Sequence, residues 1–427
     1  VAGGGKTDQP RTFFYGWVIV GVALVSLAFW FGVRTSFSVF YVALLEDFGW
    51  KRAEAAGVQS LALITYTLTA PLVGGLIDRF GPRRVLTPGI LVLAGGLILC
   101  SAITSLGQFY VYYGLLVGAG VTCVSLAAYP AILSHWFRRR LGLASGTAIA
   151  GTGLGTFAFV PLSQSFILSW GWRGSFLALA GLVLLLLLPL NALLLRHKPD
   201  ELGLQPDGLE PPPVPAGRDK PAEGPQDWGL AAAMRTGSFW ALMAFPCSVV
   251  TGMYIILVHY VPFLVDQGLD RMLASWTFAV AGLISSGFRI IWGWLSDRIG
   301  REKAFTLGMS CILAGLASLL QMGPGSGMGP VYVFVAIFGA GWGATAPLFV
   351  GAAADLFPGR RFGLIYGLLE GVLAVGGAFG AWVAGYIFDT TRSYRGAFVL
   401  AMAVTVLSVI LMWLAAPRKR RRAGPGS

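Results

Sequence analysis

The chain has 427 residues, 56% of them hydrophobic and only 12% charged, with a mean hydropathy of +0.72. So apolar a composition excludes a soluble domain of this length. The net charge of +12 sits between apolar runs and at the chain ends, which fits a membrane surface and not a nucleic-acid groove.

Twelve apolar runs of membrane-spanning length follow in order: 15–43, 53–77, 85–105, 108–133, 141–169, 172–195, 238–265, 272–296, 304–322, 329–353, 362–388 and 395–416. The stretch before the first run, VAGGGKTDQPRT, is not read as a signal peptide, because no short apolar region with a small-residue cleavage site follows it. Glycines at small-xxx-small spacing, Gly151, Gly153 and Gly155 in the fifth run and Gly376, Gly377 and Gly380 in the eleventh, are expected to let helices approach closely. No strand–turn–helix context or Walker-type lysine makes any of them a nucleotide loop. Cys100, Cys123, Cys247 and Cys311 lie inside apolar runs without metal-ligand spacing. No metal, cofactor or nucleophile–base constellation is expected, and the chain is not read as an enzyme.

The only long polar segment lies between the sixth and seventh runs and is rich in proline and charge. It reads as a flexible linker with a short interfacial helix at its end. The expected division is a six-helix bundle over 1–195, a linker over 196–237 and a second bundle with a basic tail over 238–427. The halves repeat in the same direction. Asp78 pairs with Asp297 and the segment Asp47 to Arg52 with Asp266 to Arg271, both at a shift of 219. Arg139 to Gly146 pairs with Arg360 to Gly367 at 221, and Trp172 to Phe176 with Tyr394 to Phe398 at 222. Lysine and arginine divide 23 to 6 between the two faces these spans define. The richer face, with both termini and the linker, is expected to be cytoplasmic.

Ionisable residues lie deep in some of the runs. Arg289 is eight residues before Asp297, where its helix should leave the bilayer, so it sits about 12 Å deep. A charge there costs about 2.5–3.5 kcal/mol on insertion scales. It needs either a substrate anion, which its planar fork would fit, or a permanent acidic partner on a neighbouring helix. Glu370, at similar depth, is either a proton carrier or the resting partner of Arg289. His259 is a second candidate for substrate binding or proton transfer, beside the plainer reading of a hydrogen-bonded structural histidine. Tyr254, Tyr129, Ser285, Ser286 and Phe37 are cavity candidates by helix membership. Arg34 either draws anions inward or, the plainer reading, pairs with Glu46 or Asp47.

Two matching segments follow the second and eighth runs. Gly74, Asp78, Arg79, Gly81 and Arg83 answer to Asp297, Arg298, Gly300 and Arg301. They resemble the cytoplasmic gating signature of the major facilitator superfamily. The parallel repeat resembles that superfamily too, which implies an all-α membrane protein of twelve helices in two bundles with substrate held between them. The motifs YGW (Tyr15 to Trp17), HWFRRRLGLASGTAIAGTGLG (His135 to Gly155) and GWRGSF (Gly171 to Phe176) resemble the monocarboxylate transporter family and its bacterial relatives, and Arg289 agrees. That resemblance implies a small carboxylate such as L-lactate or pyruvate moved with a proton by alternating access. It also implies a bacterial cytoplasmic membrane, no nucleic-acid partner and no obligatory protein partner. Oxalate/formate exchange is the alternative within the same group, and a non-transporting solute sensor the alternative outside it. Animal members carry an aspartate where this chain has Ser285 and a lysine where it has Thr35, so the proton-coupling residues differ here.

Overall fold

The computed structural model describes residues 14–126, 128–137, 141–196, 198–206, 230–323, 326–357 and 362–415. Among them, ten helices are long and apolar enough to cross a membrane. One of the ten, Leu143–Leu194, runs for 52 residues, about 78 Å at 1.5 Å per residue against a hydrocarbon core of about 30 Å. It is two crossings. The chain turns at Gly171 (φ 69°, ψ 173°), a backbone conformation that a Cβ would disfavour. The arms then lie side by side, with Ser175 Oγ donating to the Ser163 carbonyl at 3.2 Å. A further crossing, 106–136, is too broken to register by length alone: an α turn, a π-type stretch Tyr110–Val117, the helix Gly118–Thr122 and the helix Tyr129–Trp136.

The spans in chain order are α1 (Gly16–Phe48), α2 (Arg52–Phe80), α3 (Pro82–Cys100), α4 (106–136), α5 (141–170), α6 (172–194), α7 (Gly237–Asp266), α8 (Arg271–Ile299), α9 (Arg301–Leu320), α10 (329–356), α11 (Phe362–Thr391) and α12 (Arg395–Ala415). α10 also breaks, between Trp342 and Thr345. The breaks in α4 and α10 fall at matching points of the repeat. A short helix, Leu230–Met234, precedes α7, and most of the expected linker lies outside the described residues.

Capping follows the sequence. Thr236 accepts from the Phe239 amide at the start of α7, and Asp270 from the Leu273 amide at the start of α8. Gly81 and Gly300, with φ of 82° and 97°, turn the chain from α2 into α3 and from α8 into α9.

Packing is pseudo-symmetric. Gly151 and Gly155 of α5 press on the backbone carbonyls of Leu24 and Ala28 in α1. Gly376 and Gly380 of α11 do the same to Cys247 and Thr251 of α7. Any larger side chain there would meet main chain, so these contacts are backbone-close. Gly153 and Gly377 face the other way, onto the opposite half: Gly153 against Ser286, Gly377 against Leu63. Tyr15 at the start of α1 donates to the Leu194 carbonyl at the end of α6 at 2.8 Å, so the first bundle closes with both its ends on one face. That face is called the terminal face below. The opposite one, carrying the α1–α2, α7–α8 and α11–α12 turns, is the sealed face.

Candidate functional site

The site is built at mid-depth, where both halves contribute a cation. The midpoint of α8 is residue 285, and Arg289 is one turn beyond it toward the terminal face. Its Nη1 donates to Thr152 Oγ1 of α5 at 2.7 Å, across the two halves. Its Nε is buried with no hydrogen-bond partner. No carboxylate lies within ion-pair reach of it among the described residues. One neutral hydroxyl is a thin complement for a guanidinium with five donors. Ser286, three residues earlier, is a second buried group without a partner at its Oγ. Gly343, at the break in α10, packs on the Ser285 carbonyl and the Arg289 amide and sets the backbone of α8 against α10.

The other half supplies Arg34, two residues past residue 32, the midpoint of α1. It does not pair with Glu46 or Asp47, which corrects the plainer expectation. Glu46 is taken by Arg271, and Asp47 by Arg173 and the Trp172 indole. Arg34 instead donates to the Tyr254 hydroxyl of α7. Its guanidinium carbon lies 5.1 Å from the Trp30 ring centre, 5.2 Å from that of Tyr66 and 6.0 Å from that of Tyr254. Each half thus sends one arginine to a hydroxyl of the other. The two contacts lie about one helical turn apart in depth: Thr35 Oγ1, next to Arg34, is 3.5 Å from Thr156 Oγ1, four residues beyond Thr152 on α5. Phe31 and Trp342, with ring centres 6.2 Å apart, bridge α1 and α10.

The remaining candidates are placed as follows. Ser285 donates back to the Gly282 carbonyl at 2.7 Å and is buried. Tyr129 is buried in the first bundle, donating to Asn191 Oδ1 at 2.7 Å, and Asn191 in turn donates to Ser26. Phe37 lies in an aromatic cluster with Tyr41, Phe109 and Tyr113 inside that bundle. The side chains of Glu370 and Asp78 lie outside the described residues, although both positions are on helices.

His259 sits in the sealed face, where the two halves are locked. Arg52, at the start of α2, forms a bidentate pair with Asp266 at the end of α7, at 2.7 and 2.8 Å. Its guanidinium also lies 3.7 Å over the Phe388 ring and donates to the Tyr394 hydroxyl. Asp389 of α11 accepts from the amides of Arg52 and Ala53, at 3.0 and 2.7 Å. A carboxylate from one half therefore caps the first turn of a helix in the other, where the helix dipole favours it. His259 completes the network. Its Nε2 is 2.8 Å from the Ala381 carbonyl, which can only accept, so Nε2 carries the proton. Nδ1 is then the acceptor for Tyr394, at 3.1 Å. Burial raises the Tyr394 phenol above its ordinary range more than Arg52 lowers it, so it stays a donor. A second pair, Arg271 to Glu46 at 2.6 Å, joins α8 to α1 nearby. Arg52 and Asp266 carried no site role in the sequence reading, yet both stood in the repeated segments.

The two gating segments differ. In the second, Arg301 reaches Asp297 at 2.8 Å, Asp355 at 3.3 Å and Ser296, and so ties α8, α9 and α10 together. Arg298 lies over the Trp294 ring at 3.9 Å. In the first, the position matching Arg301 is Pro82 and that matching Asp355 is His135, so the residue pair that makes the arginine–aspartate contact is not repeated there. Arg79 and Arg83 are exposed, and nothing lies within 4 Å of where a Gly74 Cβ would stand.

Comparison with known proteins decides the family. The sequence pattern of the Major Facilitator Superfamily matches residues 18–353 and 331–427. Monocarboxylate transporter 13 of Bos taurus is 31% identical over 395 residues, covering 92% of this chain and 88% of its own. The chain belongs to the monocarboxylate transporter family. Human monocarboxylate transporter 11 is 28% identical over 419 residues, with 96% and 85% covered. Among solved structures, a bacterial homolog of the human lysosomal transporter Spinster, inward-facing and occupied, superposes with a TM-score of 0.75 at 13% identity, over 98% of this chain and all of that one. A D-xylose–proton symporter gives 0.70 at 17%, over 93% and 97%. These structures share the fold: twelve helices in two six-helix bundles. The monocarboxylate transporter family is one of transporters and not of enzymes, and this member is an integral membrane protein.

Proposed function

We propose that the protein moves a small monocarboxylate, of the L-lactate or pyruvate kind, across a bacterial cytoplasmic membrane with a proton, by alternating access. The observation that carries this reading is Arg289: a guanidinium at mid-depth with one neutral partner and a buried, unpartnered Nε. A carboxylate supplies what is missing, two acceptors in the plane of the fork and a compensating charge. The relatives named monocarboxylate transporters supply the substrate class. The basic terminal face is assigned to the cytoplasm, because lysine and arginine concentrate there. The sealed face is then external, and the network of Arg52, Asp266, Asp389, Tyr394 and His259 is its closed gate. Rocking the halves would break that network and close the terminal face in its place.

The proton role is assigned to Glu370, eight residues into α11 from Phe362, because both nitrogens of His259 are engaged within the gate. Uptake of labelled L-lactate into proteoliposomes, with and without an inward proton gradient, tests the reading. Gradient-driven accumulation that Arg289→Ala abolishes is the expected result. Lactate uptake that ignores the gradient but rises with internal oxalate or formate would replace symport by exchange. Normal uptake by Arg289→Ala would remove the anion site.

A further inference from the structure

Arg34 is the group that a single-carboxylate site leaves unused. It is at mid-depth, it belongs to the half opposite Arg289, and its described polar contact is one neutral hydroxyl. The acidic residues at the end of its own helix are committed elsewhere, Glu46 to Arg271 and Asp47 to Arg173 and Trp172. The rings of Trp30, Tyr66 and Tyr254 stabilise the cation without neutralising it. A planar face is therefore held in an aromatic box with most of its donors uncommitted, as an anion subsite requires.

The geometry points to a second anion subsite on Arg34, so that the ligands of the central site include short dicarboxylates, one carboxylate on Arg289 and the other on Arg34. Both arginines rest on hydroxyls from the opposite half, Thr152 and Tyr254. A hydroxyl oxygen in that place stands where a carboxylate oxygen would bind more strongly. The link from Thr35, next to Arg34, to Thr156, one turn from Thr152, sets the two arginines about one helical turn apart in depth, about 5 Å, a step a short dicarboxylate can bridge. A monocarboxylate would satisfy one arginine, whereas a dicarboxylate would satisfy both and bridge the halves. This inference rests on the reading of Arg289 as a carboxylate site.

The test is ligand-dependent thermal stabilisation of the full-length protein in detergent, titrated with malonate, succinate, glutarate and L-lactate. At least one dicarboxylate should bind about tenfold more tightly than lactate, the gain expected from a second charge-assisted pair. Arg34→Gln should lower that dicarboxylate-to-lactate ratio by about tenfold. Tyr254→Phe, which frees Arg34 and keeps its charge, should preserve or raise the ratio. Wild-type protein on which no dicarboxylate outcompetes lactate overturns the inference without any variant, as does a ratio that Arg34→Gln leaves unmoved. Lactate binding through Arg289 without dicarboxylate binding sinks this inference and spares the monocarboxylate reading. Dicarboxylate binding that needs Arg34, with no lactate binding, does the reverse.

Discussion

Arg52 and Arg289 are the same side chain put to opposite uses. Arg52, in the sealed face, has a bidentate carboxylate, a tyrosine hydroxyl and a phenyl ring beneath it. Arg289, at mid-depth, has one threonine hydroxyl and an unpartnered Nε. A saturated arginine holds two surfaces together. An unsaturated one with a buried, unpartnered donor retains free energy that an incoming anion can recover. A gate needs the first and a binding site the second. In this molecule they are separated by about half the membrane's thickness.

The largest effect should follow removal of the unsaturated arginine. Arg289→Ala should lower carboxylate uptake by about 100-fold or more, the loss of two charge-assisted hydrogen bonds, while the protein still elutes as a folded species in detergent. Arg289→Lys should fail nearly as badly, because a point charge has no fork. At the gate the same truncation acts on a conformational equilibrium. Arg52→Ala leaves Asp266 unpaired in a partly buried junction and removes the donor to the Tyr394 hydroxyl, a loss of about 1.5–3 kcal/mol, and shifts the balance of closed and open states by about 10- to 100-fold. Ser60, which donates to the Ala378 carbonyl across the halves below the gate at 2.6 Å, reports this. As the sole cysteine of a cysteine-free background, Ser60→Cys should react with an impermeant maleimide far faster beside Arg52→Ala than alone. Equal rates would mean that Arg52 does not hold the gate.

How much of this was legible depended on whether chemistry stood out against its surroundings. Twelve spans and the repeat were plain, because a run of apolar residues and a matched Asp-Arg-x-Gly turn both contrast with what flanks them. Arg289 was plain for the same reason. α4 was legible as a run but not as a broken helix, since nothing local in 123–128 distinguishes a kinked crossing from a straight one. Pairing of Arg34 with Glu46 or Asp47 was the plainer expectation because the expected first span stopped at residue 43, whereas α1 continues to Phe48 and keeps both acids more than three turns away. Arg52 and Asp266 are 214 positions apart and look like ordinary loop charges until the fold joins them. Thr152 carried no signal, since threonines are common in membrane helices and only its partner makes it notable. The two gating segments looked equivalent in sequence. The structure separates them through Pro82 and His135, which replace the partners that Arg301 and Asp355 give each other in the second half.

A smaller effect is expected at Thr152. Thr152→Val removes the hydroxyl on which Arg289 rests while keeping the volume. If that hydroxyl competes with the substrate for the fork, the apparent KM for carboxylate should fall about two- to fivefold, within the range of one neutral hydrogen bond. A KM that rises instead would make Thr152 a partner of the bound anion and not its stand-in.

The smallest effect should come from a second ion-paired arginine of the sealed face, Arg271. Arg271 pairs with Glu46, and Arg52 with Asp266, the two arginines standing at matching points of the repeat. The Arg271 pair is the more open, with side chains 36% and 48% exposed against 17% and 31%. Exposed pairs contribute about 0–1 kcal/mol and are screened by salt. Arg271→Gln should therefore raise maleimide labelling of Ser60→Cys by no more than about fivefold, and the difference should shrink as salt is added. The effect of Arg52→Ala should survive the same salt, because aromatic rings and an adjoining helix cover that pair. Equal salt sensitivity of the two variants would show that the gate is held by diffuse surface charge and not by the buried network around Tyr394.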